Sequence, residues 1–385
     1  MSPSSEPVGR FVRVDGVPLH VVVEGRGPVC VLAAGLAMAW FDWDEAAALL
    51  VAQGRTVVRF DRPGHGLSGP AAEPPTTAGE AHRIAALLDA LEASGALDTT
   101  GTREAVGGPE AVGGPEAAGG PEAAGAPEAV GPAGARAATA SGPASASASA
   151  PAAASGSAAA ASASGSAPAA PAAVTLVGHS IAAFHVEAFA RLYPERTAAL
   201  VLLDASVEEN PRTVLPRALR TGIARAAGRA LTAAGLPAAL GPAARRATVR
   251  ASRTGGGDPA PADLVRRCYR TGRVWRGALL ENSRYPDMAA ELLDLRRSAP
   301  LTAPTTVLAG HDGSAGRGAL HWLSRQADLA DLLGARFEVA EPAGHLVMLD
   351  RPDQVARTVL DAGLPQSPVP DGGAGRAARP GQRLA

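Results

Sequence analysis

Between residues 97 and 173 the chain loses the means to build a core. Glu110-Ala-Val-Gly-Gly-Pro, Glu116-Ala-Ala-Gly-Gly-Pro and Glu122-Ala-Ala-Gly-Ala-Pro follow one another directly, and an alanine, serine and proline tract runs on to Ala173. Glycine and proline in every repeat interrupt a helix, and almost no side chain there is large enough to bury apolar area. Residues 97–173 are therefore expected to be a disordered low-complexity insertion, and 366–385 a disordered tail. About 288 residues remain, enough for one large α/β domain with a subdomain.

The most informative part of that remainder is Val174-Thr-Leu-Val-Gly-His-Ser-Ile-Ala-Ala183. Val174–Val177 reads as a short buried strand, and a Gly-x-Ser turn leads into an amphipathic run from Phe184 to Leu192 that Pro194 closes. A serine on a sharp strand-to-helix turn stands with its hydroxyl exposed at the end of the sheet. The next N–H, that of Ile181, lies at a helix N-terminus, where developing negative charge is favoured. Gly156-Ser157 and Gly165-Ser166 have neither the strand before nor the helix after, so Ser180 is the candidate nucleophile.

Composition removes several classes of function. All 36 basic residues are arginine, set against 37 acidic ones, and a net charge of −1 gives no reason to invoke nucleic acid or an anionic membrane. Cys30 and Cys268 are the two cysteines, read as buried or incidental thiols, and no metal-ligand spacing occurs. Met1–Val8 lacks a basic region followed by an apolar core, and no apolar run is long enough to span a bilayer. The expectation is a soluble cytoplasmic protein with no cofactor, no metal and no membrane span, its oligomeric state open.

In order, strands are expected at Arg10–Arg13 and Leu19–Val23 around an Asp15-Gly16 turn, at Val29–Ala33 and at Thr56–Phe60, with a helix over Asp44–Gln53. Gly35 lets the backbone bend just past a buried strand, which makes the Leu36 N–H a candidate second oxyanion donor. Trp40, Phe41 and Trp43 suggest a pocket wall or a loop anchor in a chain that is 3% aromatic. Asp61-Arg-Pro-Gly-His-Gly-Leu-Ser68 reads as a structural turn in which Asp61 and Arg62 hydrogen-bond and pair, with His65 a loop residue. Residues 78–93 are expected to be helical. A strand at Ala199–Leu203 ends in Asp204, and 207–299 reads as an arginine-rich helical lid broken at Gly235, Pro237, Gly241-Pro242 and Gly255–Gly257. Core strands resume at Thr305–Ala309 and Arg336–Val339, each followed by a glycine-bearing loop that holds Asp312 and His345 respectively.

Ser180, Asp312 and His345 thus occur in the order nucleophile, acid, base. Together with the Asp61–Ser68 turn, Val177-Gly-His-Ser180, Gly310–Asp312 and Gly344-His345, that order resembles the α/β-hydrolase superfamily, over nearly everything except the insertion, much of the lid and the tail. The resemblance implies a mostly parallel sheet with helices on both faces. The core would be supplied by 1–96, 174–206 with the elbow, and 300–365 with the acid and histidine loops, under a lid at 207–299. It further implies that His345 takes the Ser180 proton, that Asp312 orients the imidazole, with Asp204 as the alternative acid, and that Ile181 and Leu36 hold the oxyanion. Ala34 and Ala182 stand where many relatives carry histidine and glycine. A serine nucleophile leaves ester, thioester or lactone hydrolysis open, and hydrolysis of a small carboxylic ester or related acyl substrate through an acyl-enzyme is the expectation. Carbon–carbon bond hydrolysis, perhydrolase chemistry and a non-catalytic ligand-binding role are the alternatives.

Overall fold

The computed structural model describes residues 9–97 and 172–364, so the expectations for the insertion and the tail fall almost wholly outside the described residues. Eight strands form one sheet. They are β1 (Arg10–Val14), β2 (Val17–Glu24), β3 (Val29–Ala33), β4 (Thr56–Phe60), β5 (Val174–His179), β6 (Thr197–Leu203), β7 (Thr305–Gly310) and β8 (Arg336–Ala340), in the order β1-β2-β4-β3-β5-β6-β7-β8. β2 runs antiparallel to both its neighbours, and every later pairing is parallel. The carboxyl ends of β3, β5, β6, β7 and β8 therefore face one way, and the loops beyond them meet.

Side chains alternate across the pleat. Val29, Val31 and Ala33 of β3 pack with Leu176, Leu200 and Val307 on one face, under α2 (Thr77–Ala93), α3 (Ala182–Leu192) and α8 (Arg317–Leu333). Cys30 and Leu32 point to the other face, where Val177, Val201 and Leu308 meet α1 (Asp44–Ala52), α9 (Val347–Asp350) and α10 (Pro352–Asp361). A parallel sheet covered on both faces needs strands apolar along their whole length, and β3 and β5 are buried at every position. Leu97, placed in the insertion by composition, packs into the first of these cores. Both cysteines are buried and unbridged.

Between β6 and β7 lie α4 (Arg217–Ala233), α5 (Leu236–Ala251), α6 (Ala262–Tyr269) and α7 (Gly272–Ser298). The break expected at Gly241-Pro242 does not occur, because α5 runs through it. Proline leaves the carbonyl four residues back without its helical donor, and Arg270 Nε supplies one to Ala238 at 3.2 Å. A Cβ at position 241 would fall 1.8 Å from the Tyr269 carbonyl, so glycine here lets α5 and α6 approach. Among the described residues no helix is long and apolar enough to cross a membrane.

Candidate active site

Ser180 sits between β5 and α3 with φ of 54°, a left-handed conformation that only an over-determined turn sustains for a residue with a side chain. Its N–H donates to Leu203 and its carbonyl accepts from Ser206, which fix the turn from the β6 side. Ser180 Oγ lies 3.1 Å from His345 Nε2, and His345 Nδ1 lies 2.5 Å from Asp204 Oδ2. The Asp204 side chain is 1% exposed and that of His345 40%, so the imidazole is reachable from outside while the carboxylate behind it is not.

The acid expected at Asp312 is not the one beside His345. Asp312 is exposed, accepts from the N–H of Ser314, and is held by that residue's hydrogen bonds below the ordinary carboxylate value. Asp204 is a deeper presence. Its Oδ1 accepts from the Gly310 N–H at 2.9 Å and from Trp322 Nε1 at 2.8 Å, leaving Oδ2 for the imidazole. Both aspartates follow strand ends, so chain order could not choose between them. The choice is made by donors 106 and 118 residues away.

Among the described residues nothing accepts a backbone hydrogen bond from Ile181 N–H or Leu36 N–H. Gly35 brings the second of these close to the serine. A Cβ there would lie 2.7 Å from His179 Nδ1 and 3.2 Å from Ser180 Cβ, so only glycine fits. Arg62 then fixes the direction of the peptide. Its guanidinium donates to the Ala34 carbonyl and, at 3.3 Å, to the Gly35 carbonyl, which also accepts from Met38 N–H. Because the trans peptide points its C=O and N–H opposite ways, holding Gly35 O turns Leu36 N–H to the other side.

Sequence reasoning paired Arg62 with Asp61, and the structure separates them. Asp61 accepts from the N–H groups of Trp40 and Leu67, which makes it a loop organiser. Arg62 Nη2 instead donates to both carboxylate oxygens of Glu281 on α7, at 2.8 and 2.9 Å, and His65 Nε2 stands 3.0 Å from the same carboxylate. Burial alone would raise the Glu281 carboxyl, but Arg62 and then His65 outweigh it and hold it well below the usual range. Burial first, and then the His345 charge, push the His179 imidazole well below its ordinary value, so it is neutral. As a neutral ring it donates from Nε2 to the His345 carbonyl at 2.9 Å.

Trp40 and Phe41 are not a pocket wall. They are buried in a 3₁₀ turn with Val22, Val265 and Val274, as the loop-anchor half of the expectation has it. The walls come from elsewhere. An apolar cavity of about 330 Å³ begins at Leu36, Ala37 and Met38 and is closed by α5, α6 and α7, with Trp275 and Leu279 among its lining. A second cavity, of about 360 Å³, lies against His345 and Asp204 and is lined also by Asp312 and Trp322.

No protein-family model matches the sequence, and no curated protein matches it. Solved structures do match. Cfl2 from Burkholderia cenocepacia superposes with a TM-score of 0.57 at 20% identity, over 92% of this chain and 94% of that one. The thioesterase domain from the curacin biosynthetic pathway gives 0.54 at 14% identity, over 91% and 98%. A thermophilic esterase from Thermogutta terrifontis gives 0.51 at 17%, over 92% and 96%. The chain has the α/β-hydrolase fold. Within that fold, Ser180 occupies the elbow after β5, Asp204 the loop after β6 and His345 the loop after β8.

Proposed function

We propose that the protein is a serine hydrolase of carboxylic esters or closely related acyl compounds, working through an acyl-enzyme with Ser180, His345 and Asp204 as its triad. The observation that carries this reading is the line Ser180 Oγ, His345 Nε2, His345 Nδ1, Asp204 Oδ2, with its 3.1 and 2.5 Å links. As Ser180 Oγ attacks the carbonyl carbon, His345 Nε2 takes its proton, and Asp204 holds the opposite N–H and stabilises the cation. The carbonyl oxygen becomes an oxyanion facing the N–H groups of Ile181 and Leu36. The tetrahedral intermediate collapses when His345 returns the proton to the leaving oxygen, and water attacks the acyl-serine with His345 as base.

The two cavities suit the two halves of such a substrate. The leaving oxygen must meet His345 Nε2, so the leaving group occupies the cavity beside His345 and Trp322. The acyl group then extends past Leu36 into the apolar cavity. At about 330 Å³, with an apolar lining, that cavity suits a medium-length acyl chain. Supporting the acyl-transfer reading, the elbow carries a hydroxyl nucleophile, and an esterase and a thioesterase domain share the fold.

A fluorophosphonate probe should label the wild type and not Ser180→Ala, and p-nitrophenyl esters of graded acyl length should show a kcat/KM maximum at medium length. Folded wild-type protein that takes up no probe would instead be a ligand-binding relative of these enzymes.

A further inference from the structure

The lid segment is rich in arginine, and most arginines that approach its interior meet a carboxylate. Arg220 and Arg284 pair with Asp287, Arg245 with Asp42 and Asp258, Arg253 with Asp350, and Arg296 with Glu187. One group departs from this pattern. Arg225 and Arg229 of α4 and Arg273 and Arg276 of α7 line a single cleft of about 280 Å³, floored by the loop that carries Gly64 and Pro70. No carboxylate lines it, and none of the four forms an ion pair among the described residues. Acidic side chains line the adjoining clefts instead: Glu73 beside Arg225 in one, and Glu73, Glu80 and Glu281 beside Arg62 and His65 in the other.

Two of these side chains are held in place from behind. Arg273 Nη2 donates to the Gly66 carbonyl and Arg276 Nη1 to Thr232 Oγ1 at 3.1 Å, so one nitrogen of each guanidinium is anchored to the fold. Arg273 Nε is buried with no hydrogen-bond partner, an unmet donor in a half-buried guanidinium. Burial, chiefly, pushes the Arg273 guanidinium below its ordinary value, with Cys268 and Asp61 opposing that shift and the Arg276 charge adding to it. Arg225 and Arg229 stand four apart on α4, and Arg273 and Arg276 three apart on α7, so each pair lies on one helix face and repels. Four cations facing one space are stable together when an anion sits among them.

We propose that this cleft binds a compact phosphate-type polyanion, either free phosphate or pyrophosphate or the phosphate end of a small metabolite. Guanidinium groups suit that ligand because each presents a planar fork that grips two oxygens at once. At about 280 Å³ the cleft is too small to track a nucleic-acid backbone. It is also a different place from the proposed acyl cavity. Residues 273, 276, 277 and 280 of α7 face the arginine cleft, whereas 274, 275, 278, 279 and 282 face the acyl cavity across the helix. Binding here is thus independent of the hydrolase reading.

The test is calorimetric titration of the full-length protein with inorganic phosphate and with pyrophosphate, at an ionic strength matched with sodium chloride. One saturable site is expected, with pyrophosphate the tighter ligand, and each should raise the melting temperature where matched chloride does not. Arg229→Gln, at an exposed position, and Arg276→Gln should each weaken pyrophosphate roughly tenfold, and Arg276→Lys should recover part of that loss. In buffer free of polyvalent anions Arg229→Gln should melt at or above the wild-type temperature, because repulsion is relieved. Phosphate and pyrophosphate acting no differently from chloride, or binding unchanged in a folded Arg229→Gln variant, would overturn the proposal. A phosphorylated small molecule that binds more tightly than pyrophosphate would identify the metabolite form of the ligand.

Discussion

Asp204 and Asp312 occupy matching stations, one just beyond β6 and the other just beyond β7, and the two have opposite fates. Asp204 is buried under three donors, from Gly310, Trp322 and His345, while Asp312 closes a turn with Ser314 in solvent. A strand end brings a carboxylate to the right edge of the sheet. Only a surround of fixed donors makes it a steady charge that an imidazolium can lean on, since a buried carboxylate without them would lose its ionised form.

The sharpest way to break this contrast is to neutralise each carboxylate in turn. Asp204→Asn is expected to lower kcat by about 10⁴, because asparagine favours the wrong imidazole tautomer, and Asp312→Asn by no more than about twofold. Reversed magnitudes in steady-state ester hydrolysis would return the acid to Asp312.

Glu281 extends the comparison away from the triad, as another buried carboxylate ringed by donors. Removing its charge strands Arg62, and Glu281→Gln is expected to cost about 3 kcal/mol of stability at neutral pH, measured by denaturant unfolding. The folded carboxyl lies below its ordinary 4.5, so its contribution is present above that value and is lost as pH falls through the lower folded one. The gap between wild type and Glu281→Gln should therefore narrow below about pH 4.

Arg62→Lys keeps the charge beside Glu281 but cannot hold two carbonyls in one fork. A loosened Leu36 N–H should lower kcat by ten- to a hundredfold with KM almost unchanged, because the oxyanion exists only after attack. Affinity for a trifluoromethyl ketone should fall in step with kcat. The smallest effect is expected from Trp322→Phe, which removes one of three donors to Asp204 and should cost less than tenfold in kcat.

These contrasts also show what could be read before any coordinates. The elbow was legible because its determinants are contiguous: a buried strand, Gly-x-Ser and an amphipathic helix lie within twenty residues. Strand positions were legible for the same reason, since apolar runs such as Val29–Ala33 carry their own signal. The acid was not, because both candidates satisfy the local pattern and the decision rests on a tryptophan of α8. Arg62 was likewise assigned to its neighbour Asp61, when its partner is 219 residues away on α7. The proline in α5 looked like a break because the donor that replaces its missing N–H belongs to Arg270, just past the end of α6.

Helix α7 is fastened along much of its length. Glu281 holds Arg62, Glu291 accepts from the first N–H groups of α2, the Met288 carbonyl accepts from Thr77, and Arg296 pairs with Glu187. Swinging it outward would leave the buried Arg62 without its carboxylate and take Arg296 from Glu187, which Arg191 alone would then hold, so α7 is expected to stay closed. The roof over Ser180 thus acts as a fixed wall, and a substrate must reach the serine by diffusing through openings that already exist. A hydrolase with such a wall is expected to lack a surface-triggered step. Its rate should rise smoothly with ester concentration, with neither lag nor jump where the ester begins to form micelles.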